Sequence, residues 1–243
     1  MRVAFQLVAI GLLGLLPAPV AAQQVTLSLD GGSLTGQSLF LMAAVTILGL
    51  APGLAVMVTC FPFIVTVLSI LRQAIGLQQS PPNLLIVSLA LFLTWFVMEP
   101  VFAQAWGDAV APLLDGKLDA ASAFDAGVAP FRTFMAHRVD PDTLAELAAL
   151  REPVPVFAAA DEAPLSILVP SFMLSEMARA FQIGFLIYLP FLIIDMVVAS
   201  VLMSLGMMML SPVLVALPFK LMLFVLADGW NLLLGSLVAS FAT

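Results

Sequence analysis

The chain has 243 residues, 63% of them hydrophobic and only 9% charged, with a mean hydropathy of +1.16 and a formal net charge of −7. No soluble domain of this length needs so much apolar surface, so composition assigns a membrane protein. A single cysteine, Cys60, excludes a disulfide framework and a thiolate metal cluster, and the acidic excess argues against nucleic acid as a partner.

Residues 1–22 read as a signal peptide. Arg2 precedes an apolar run from Val3 to Leu16, and Val20 and Ala22 suit cleavage before Gln23. A polar segment follows over 23–38. The first apolar run extends from Leu39 to Leu71, a polar turn carries Arg72, Gly76 and Pro81-Pro82-Asn83, and a second run covers Leu84 to Trp106. Residues 39–106 are therefore expected to form a helical hairpin. The stretch 107–163 is the one soluble-looking part, and ten of the fifteen acids lie in it, between Asp108 and Glu162. Within this insert Asp140-Pro141-Asp142 predicts the cap and first turn of a short helix, with Leu144, Leu147 and Leu150 along one side. The third run goes from Pro164 to Ser204 and the fourth from Pro212 to Phe241. The turn Leu205-Gly206-Met207-Met208-Met209-Leu210-Ser211 joins them into a second hairpin over 164–243. No internal repeat is evident, so the inverted-repeat signature of many transporters is absent.

A cleaved leader places the mature N-terminus, the acidic insert and the C-terminus outside the cytoplasm, with the Arg72 turn and the methionine turn inside. A span needs about 20 residues, whereas the third run, at about 40, would reach roughly 60 Å as one helix. Pro170, Pro190 and Pro218 are expected to kink or break their helices. The expected fold is an all-α membrane protein of long, kinked hydrophobic helical hairpins, four apolar runs in all, with a small acidic helical insert. Its helices would be buried largely against other protein.

Charges inside apolar runs are expensive and mark purpose. Lys220 and Asp228 are eight residues apart, about 800° of helix rotation, so on one helix they would share a face. Glu176 and Arg179, at i and i+3, can pair locally. Asp195 has no local counter-charge, and Lys220 of the neighbouring helix, or another chain, is its candidate partner. Two readings fit these five residues: ion pairs that fix helix register, or a proton or ion relay through Asp195, Lys220 and Asp228, as in a channel or transporter. Met207-Met208-Met209 lie in a turn after Gly206, where soft thioether side chains could line a pore or merely pack. Enzyme signatures are missing: there is no His-Glu-x-x-His, no phosphate-binding glycine loop and no nucleophile elbow. His137 has no second His nearby, Cys60 reads as a small buried hydrophobe, and no metal or cofactor is implied.

Three segments carry a family resemblance over about Leu48 to Phe241. They are Arg72-Gln73-Ala74-Ile75-Gly76 through Pro81-Pro82-Asn83 to Ala90-Leu91-Phe92-Leu93-Thr94, then Ser175-Glu176 with Ala180-Phe181-Gln182-Ile183-Gly184-Phe185 through Asp195, and Gly206-Met207-Met208-Met209 through Lys220 to Asp228-Gly229-Trp230. On these the chain resembles the FliP family, the P subunits of the flagellar type III secretion export gate. The resemblance implies self-association into a pentamer-like, helically staggered ring with the FliQ and FliR gate subunits. It also implies contact with other membrane proteins of the export apparatus, and unfolded polypeptides in transit along the axis. It would place the chain in the bacterial inner membrane, at the flagellar basal body, and Met207, Met208 and Met209 in a gasket that closes the pore. The family also includes gate subunits of virulence injectisomes; the leader and the acidic insert look more like the flagellar branch. One departure stands out: family members often carry Lys two residues after the Glu of the Ser-Glu pair, where this chain has Ala178 and then Arg179.

Overall fold

A computed structural model of the chain describes residues 34–77, 81–207 and 209–241. The leader read at 1–22, and most of the polar segment after it, lie outside those residues. The chain divides into two units, residues 1–49 and 50–243. Helix α1, Leu34–Met57, contains the described residues of the first unit.

The first apolar run is not one helix. α1 ends at Met57, a turn follows, and α2 spans Phe61–Ile75 with Pro62 in its first turn. Pro62 has no N–H to offer the carbonyl of Val58, and Thr59 supplies its hydroxyl in place of the helical ladder. That hydroxyl donates to Val56 O at 3.0 Å and accepts from Phe61 N at 3.4 Å. α2 ends at Gly76, whose φ of +90° is left-handed and suits glycine.

α3 covers Asn83–Ala105 and continues through a π-helical turn, Trp106–Val110, into α4, Ala111–Leu114. The insert supplies α5, Ala120–Arg138, and α6, Pro141–Ala149. Asp140 caps α6 as its sequence predicts, accepting from Thr143 N at 2.9 Å and Thr143 Oγ1 at 2.8 Å. Leu144 is buried and Leu147 packs beside it, but Leu150 lies past the helix end and is exposed. The insert has a small core that the next helix helps to build: Met135, Val139, Leu144, Ala148 and Ala163 meet Ile167, Leu168 and Phe172 of that helix.

That helix, α7, runs unbroken from Leu165 to Ser204, forty residues, with both Pro170 and Pro190 inside it. At 1.5 Å per residue it is about 60 Å long. The two prolines do not break it, nor does Pro218 break α8, Pro212–Leu226. The break in the fourth run falls instead at Asp228, with a 61° bend into α9, Gly229–Ala239. Asp228 takes left-handed angles, φ 49° and ψ 47°, which Asp tolerates better than most residues. Gly229 must be small, because a Cβ there would lie 2.3 Å from the Phe224 ring. Lys220 and Asp228 therefore do not share a helix face: the eight-residue spacing does not operate, because α8 ends at Leu226.

α2 is the buried centre of the larger unit. Phe63, Ile64, Val67, Leu68 and Leu71 pack between α7, α3 and α8, each buried side chain stabilising by about 1.5–3 kcal/mol. Gly184 of α7 lets α2 approach closely, since a Cβ there would meet Ile70 Cδ1 at 2.3 Å. Much of the outward surface is apolar, including Phe181, Phe185, Leu186, Ile193 and Met196 along α7. Among the described residues two helices are long and apolar enough to cross a membrane, or three if the bent α8–α9 pair counts as one. The protein is all-α, as expected, and of the membrane class.

Candidate functional site

Four charges in the apolar helices, Glu176, Arg179, Asp195 and Lys220, fall into two separate groups within the chain. The first ties the insert to α7. Glu176 is fully buried and takes two guanidinium groups. Arg138, the last residue of α5, donates from Nε to Oε1 at 2.8 Å and from Nη2 to Oε2 at 3.3 Å. Arg179 donates to Oε1 at 2.8 Å across one helical turn, and to the Arg138 carbonyl at 3.3 Å. Arg138 also donates to Ser240 O at 2.9 Å, and its guanidinium lies 3.9 Å from the centre of the Phe241 ring. One side chain thus joins the insert, the long helix and the end of α9. Immediately before Glu176, Ser175 Oγ accepts from Asp140 N at 2.9 Å and donates to Ser171 O at 2.8 Å.

The second group lies between α7 and α8. Lys220 is buried and donates to Asp195 Oδ2 at 2.6 Å and to Ala74 O at 3.0 Å. Ala74 sits in the last turn of α2, where a cation is favoured by the helix dipole. Asp195 Oδ1 is buried without a hydrogen-bond donor among the described residues. Beside the pair, a groove of about 660 Å³ with a mixed lining runs between α2, α7 and α8, with Thr66, Gln73 and Tyr188 among its polar residues.

Asp228 joins neither group. It is exposed at the α8–α9 bend, where its Oδ2 accepts from Asn231 Nδ2 at 2.7 Å. Arg138 is the participant that sequence reasoning missed. It reads as one of four bases in an acidic insert, and no local spacing links it to a residue 38 positions away.

The methionine turn follows α7 with a defined geometry. Gly206, at φ +72°, donates to Met203 O at 3.1 Å, and Met207 N donates to Leu202 O at 2.9 Å. This pair of bonds is the Schellman ending of a helix. Met207 and Met209 are both exposed, Met209 fully; Met208 lies outside the described residues.

None of these groups presents a nucleophile beside a base. Among the described residues no three His, Cys, Asp or Glu side chains gather as metal ligands. His137 is exposed near the Arg138 cluster, and Cys60 is fully buried. In the insert, hydrogen bonds from the Thr143 amide and hydroxyl, with Arg179 nearby, hold the Asp140 carboxyl below the usual carboxylate range. Its cap is accordingly a feature of the ionised form, present above the ordinary carboxylate range and lost as pH falls through the lowered value.

A model of the FliP family matches residues 44–237. The chain belongs to the FliP family. It is 50% identical over 229 residues to the flagellar biosynthetic protein FliP of Caulobacter vibrioides, covering 93% of this chain and 86% of that one. To the protein of the same name in Agrobacterium fabrum it is 45% identical over 240 residues, covering 97% and 98%. To that of Bacillus subtilis it is 46% identical over 204 residues, covering 83% and 90%. As a FliP-family chain it is a membrane component of the flagellar export apparatus, associated with that apparatus's other membrane proteins, and not an enzyme.

Proposed function

We propose that this chain is a channel-forming subunit of the flagellar type III secretion export gate in the bacterial inner membrane, at the basal body. Several copies form a pentamer-like, helically staggered ring with FliQ and FliR, and unfolded flagellar proteins pass along the axis. The observation that carries this reading, beside family membership, is the uncharged turn with exposed Met207 and Met209 that joins the long apolar helix α7 to the apolar helix α8. Met207, Met208 and Met209 from each copy form a soft gasket there. The Glu176 group and the Lys220–Asp195 pair hold the helices that present it. An ion pair already closed within one chain supports that structural role over a relay.

The test is the makeup of the complex extracted in mild detergent. A gate subunit purifies as one large assembly holding several copies of this chain with two other small apolar proteins. A lone monomer, or a homo-oligomer that conducts ions without those companions, overturns the reading.

A further inference from the structure

The polar end of the α2–α3 hairpin contains a cavity that the gate reading does not use. It has a volume of about 450 Å³ and lies between α2, α3 and α8, with Leu85, Leu89, Phe224 and Trp230 among its apolar walls. The one charged group on its lining is Arg72. Arg72 stands in the last turn of α2, and its Nη1 donates to Pro81 O and Asn83 Oδ1. Both acceptors are neutral. No carboxylate pairs with Arg72 among the described residues, and its Nε and Nη2 hydrogens make no hydrogen bond there.

An apolar pocket alone would accept any hydrophobic group. An uncompensated guanidinium at its edge narrows the choice to an amphiphile with an anionic head, and the planar fork of Arg matches a phosphate with two parallel N–H donors. The level is also right. Arg72 closes one apolar helix and Asn83 opens the next, so the site lies at the polar turn between two apolar segments, where a chain in a bilayer would meet the headgroups. Basic pockets between membrane helices at that level are where anionic headgroups are held. We propose that the Arg72 cavity is a binding site for an anionic diacyl phospholipid, its phosphate on Arg72 and part of one acyl chain between Leu89, Phe224 and Trp230. The lipid would fill the space between α3 and α8 and fix the hairpin against the rest of the subunit.

The experiment adds phosphatidylglycerol or phosphatidylcholine to the full chain and to its assembled complex in detergent, and counts retained lipid by native mass spectrometry. The wild type should hold phosphatidylglycerol in preference by roughly fivefold, the worth of one basic side chain at an anionic surface. Arg72→Gln should lose that preference, and Arg72→Lys, which keeps the charge but not the fork, should keep part of it. Leu89→Trp, which fills the cavity and leaves Arg72 in place, should lose both lipids. Helix content by circular dichroism identifies any variant that has failed to fold, and the Lys and Trp variants then decide. Equal retention of the two lipids by wild type overturns the proposal, as does undiminished phosphatidylglycerol on Arg72→Gln or Leu89→Trp. Lipid bound to the free chain but excluded from the assembled complex overturns it too, and assigns the cavity to a neighbouring subunit. None of these outcomes depends on what the gate transports.

Discussion

Lys220 holds the most consequential position in the larger unit. Its ammonium group reaches the carbonyl of Ala74 at the end of α2 and the carboxylate of Asp195 on α7, so one buried side chain on α8 ties three helices together. Removing one partner of such a pair costs about 3–5 kcal/mol, because the other charge is left buried and unpaired, whereas replacing both with apolar groups is often neutral. Lys220→Met should therefore lower both the melting temperature of the purified protein and the yield of complex. Lys220→Met with Asp195→Leu should recover most of both. A single variant as stable as wild type would show that Asp195 finds another counter-charge, and the structural role of the pair would fail. The same scale shows what the sequence could and could not disclose. Glu176 and Arg179 are visible as a pair because they are three positions apart on one helix. Arg138 is not, because its contact depends on how the insert folds back. Asp228 misleads in the opposite sense: a helical spacing counts only where the helix continues, and a left-handed Asp followed by Gly ends it.

At the scale of elements, hydrophobicity marks the apolar runs but not their interruptions. The runs around α3, α7 and α8 are legible because apolar residues extend over the whole length of a helix. The break after Met57 depends on the Thr59 hydroxyl and Pro62, and the bend at Asp228 on one backbone conformation; neither changes the hydropathy of its run. The prolines inside α7 look like breaks and are not: the helix continues through both, each proline exposed, while other residues of the helix pack on α2, α5 and α6. The tightest of that packing is at Gly184, where a methyl group would reach Ile70 Cδ1 at 2.3 Å, Cγ2 at 3.1 Å and Cβ at 3.3 Å. The Cδ1 atom can swing away, but the two nearer the backbone cannot. Gly184→Ala should destabilise by about 1–3 kcal/mol, as overpacking does, despite the gain of up to about 1 kcal/mol in helix propensity. Ile70→Val removes the first clash and Ile70→Ala most of all three, so the double variant Ile70→Ala, Gly184→Ala should be more stable than Gly184→Ala alone. Additive losses in thermal denaturation would mean that the two helices are not in contact at this position.

For the whole molecule, the methionine turn is where local geometry and assembly meet. The Schellman ending at Gly206 stops α7 and turns the chain out, so Met207 and Met209 extend from the helix pair and do not fold back onto it. In a single subunit that exposure is unfavourable, since thioether side chains gain by burial. In the proposed ring such turns would provide the burial, each methionine packing against those of its neighbours across the axis. Unbranched thioethers change rotamer readily, so they can fill the axis at rest and part around a passing chain without breaking hydrogen bonds. Replacing Met207, Met208 and Met209 together by Ala removes that bulk and leaves Gly206 and both helices intact. Cells expressing the triple variant should admit small ions and solutes that wild-type cells exclude. The amount of assembled complex should stay near normal, because the exposed Met207 and Met209 side chains belong neither to the α2 core nor to the two charge groups. Permeability to a small solute, measured alongside the yield of complex, separates the alternatives. A leak with normal yield is the gasket's signature. A tight membrane with normal yield would leave the methionines as surface packing only, and a collapse in yield would make the turn an assembly contact instead of a gate.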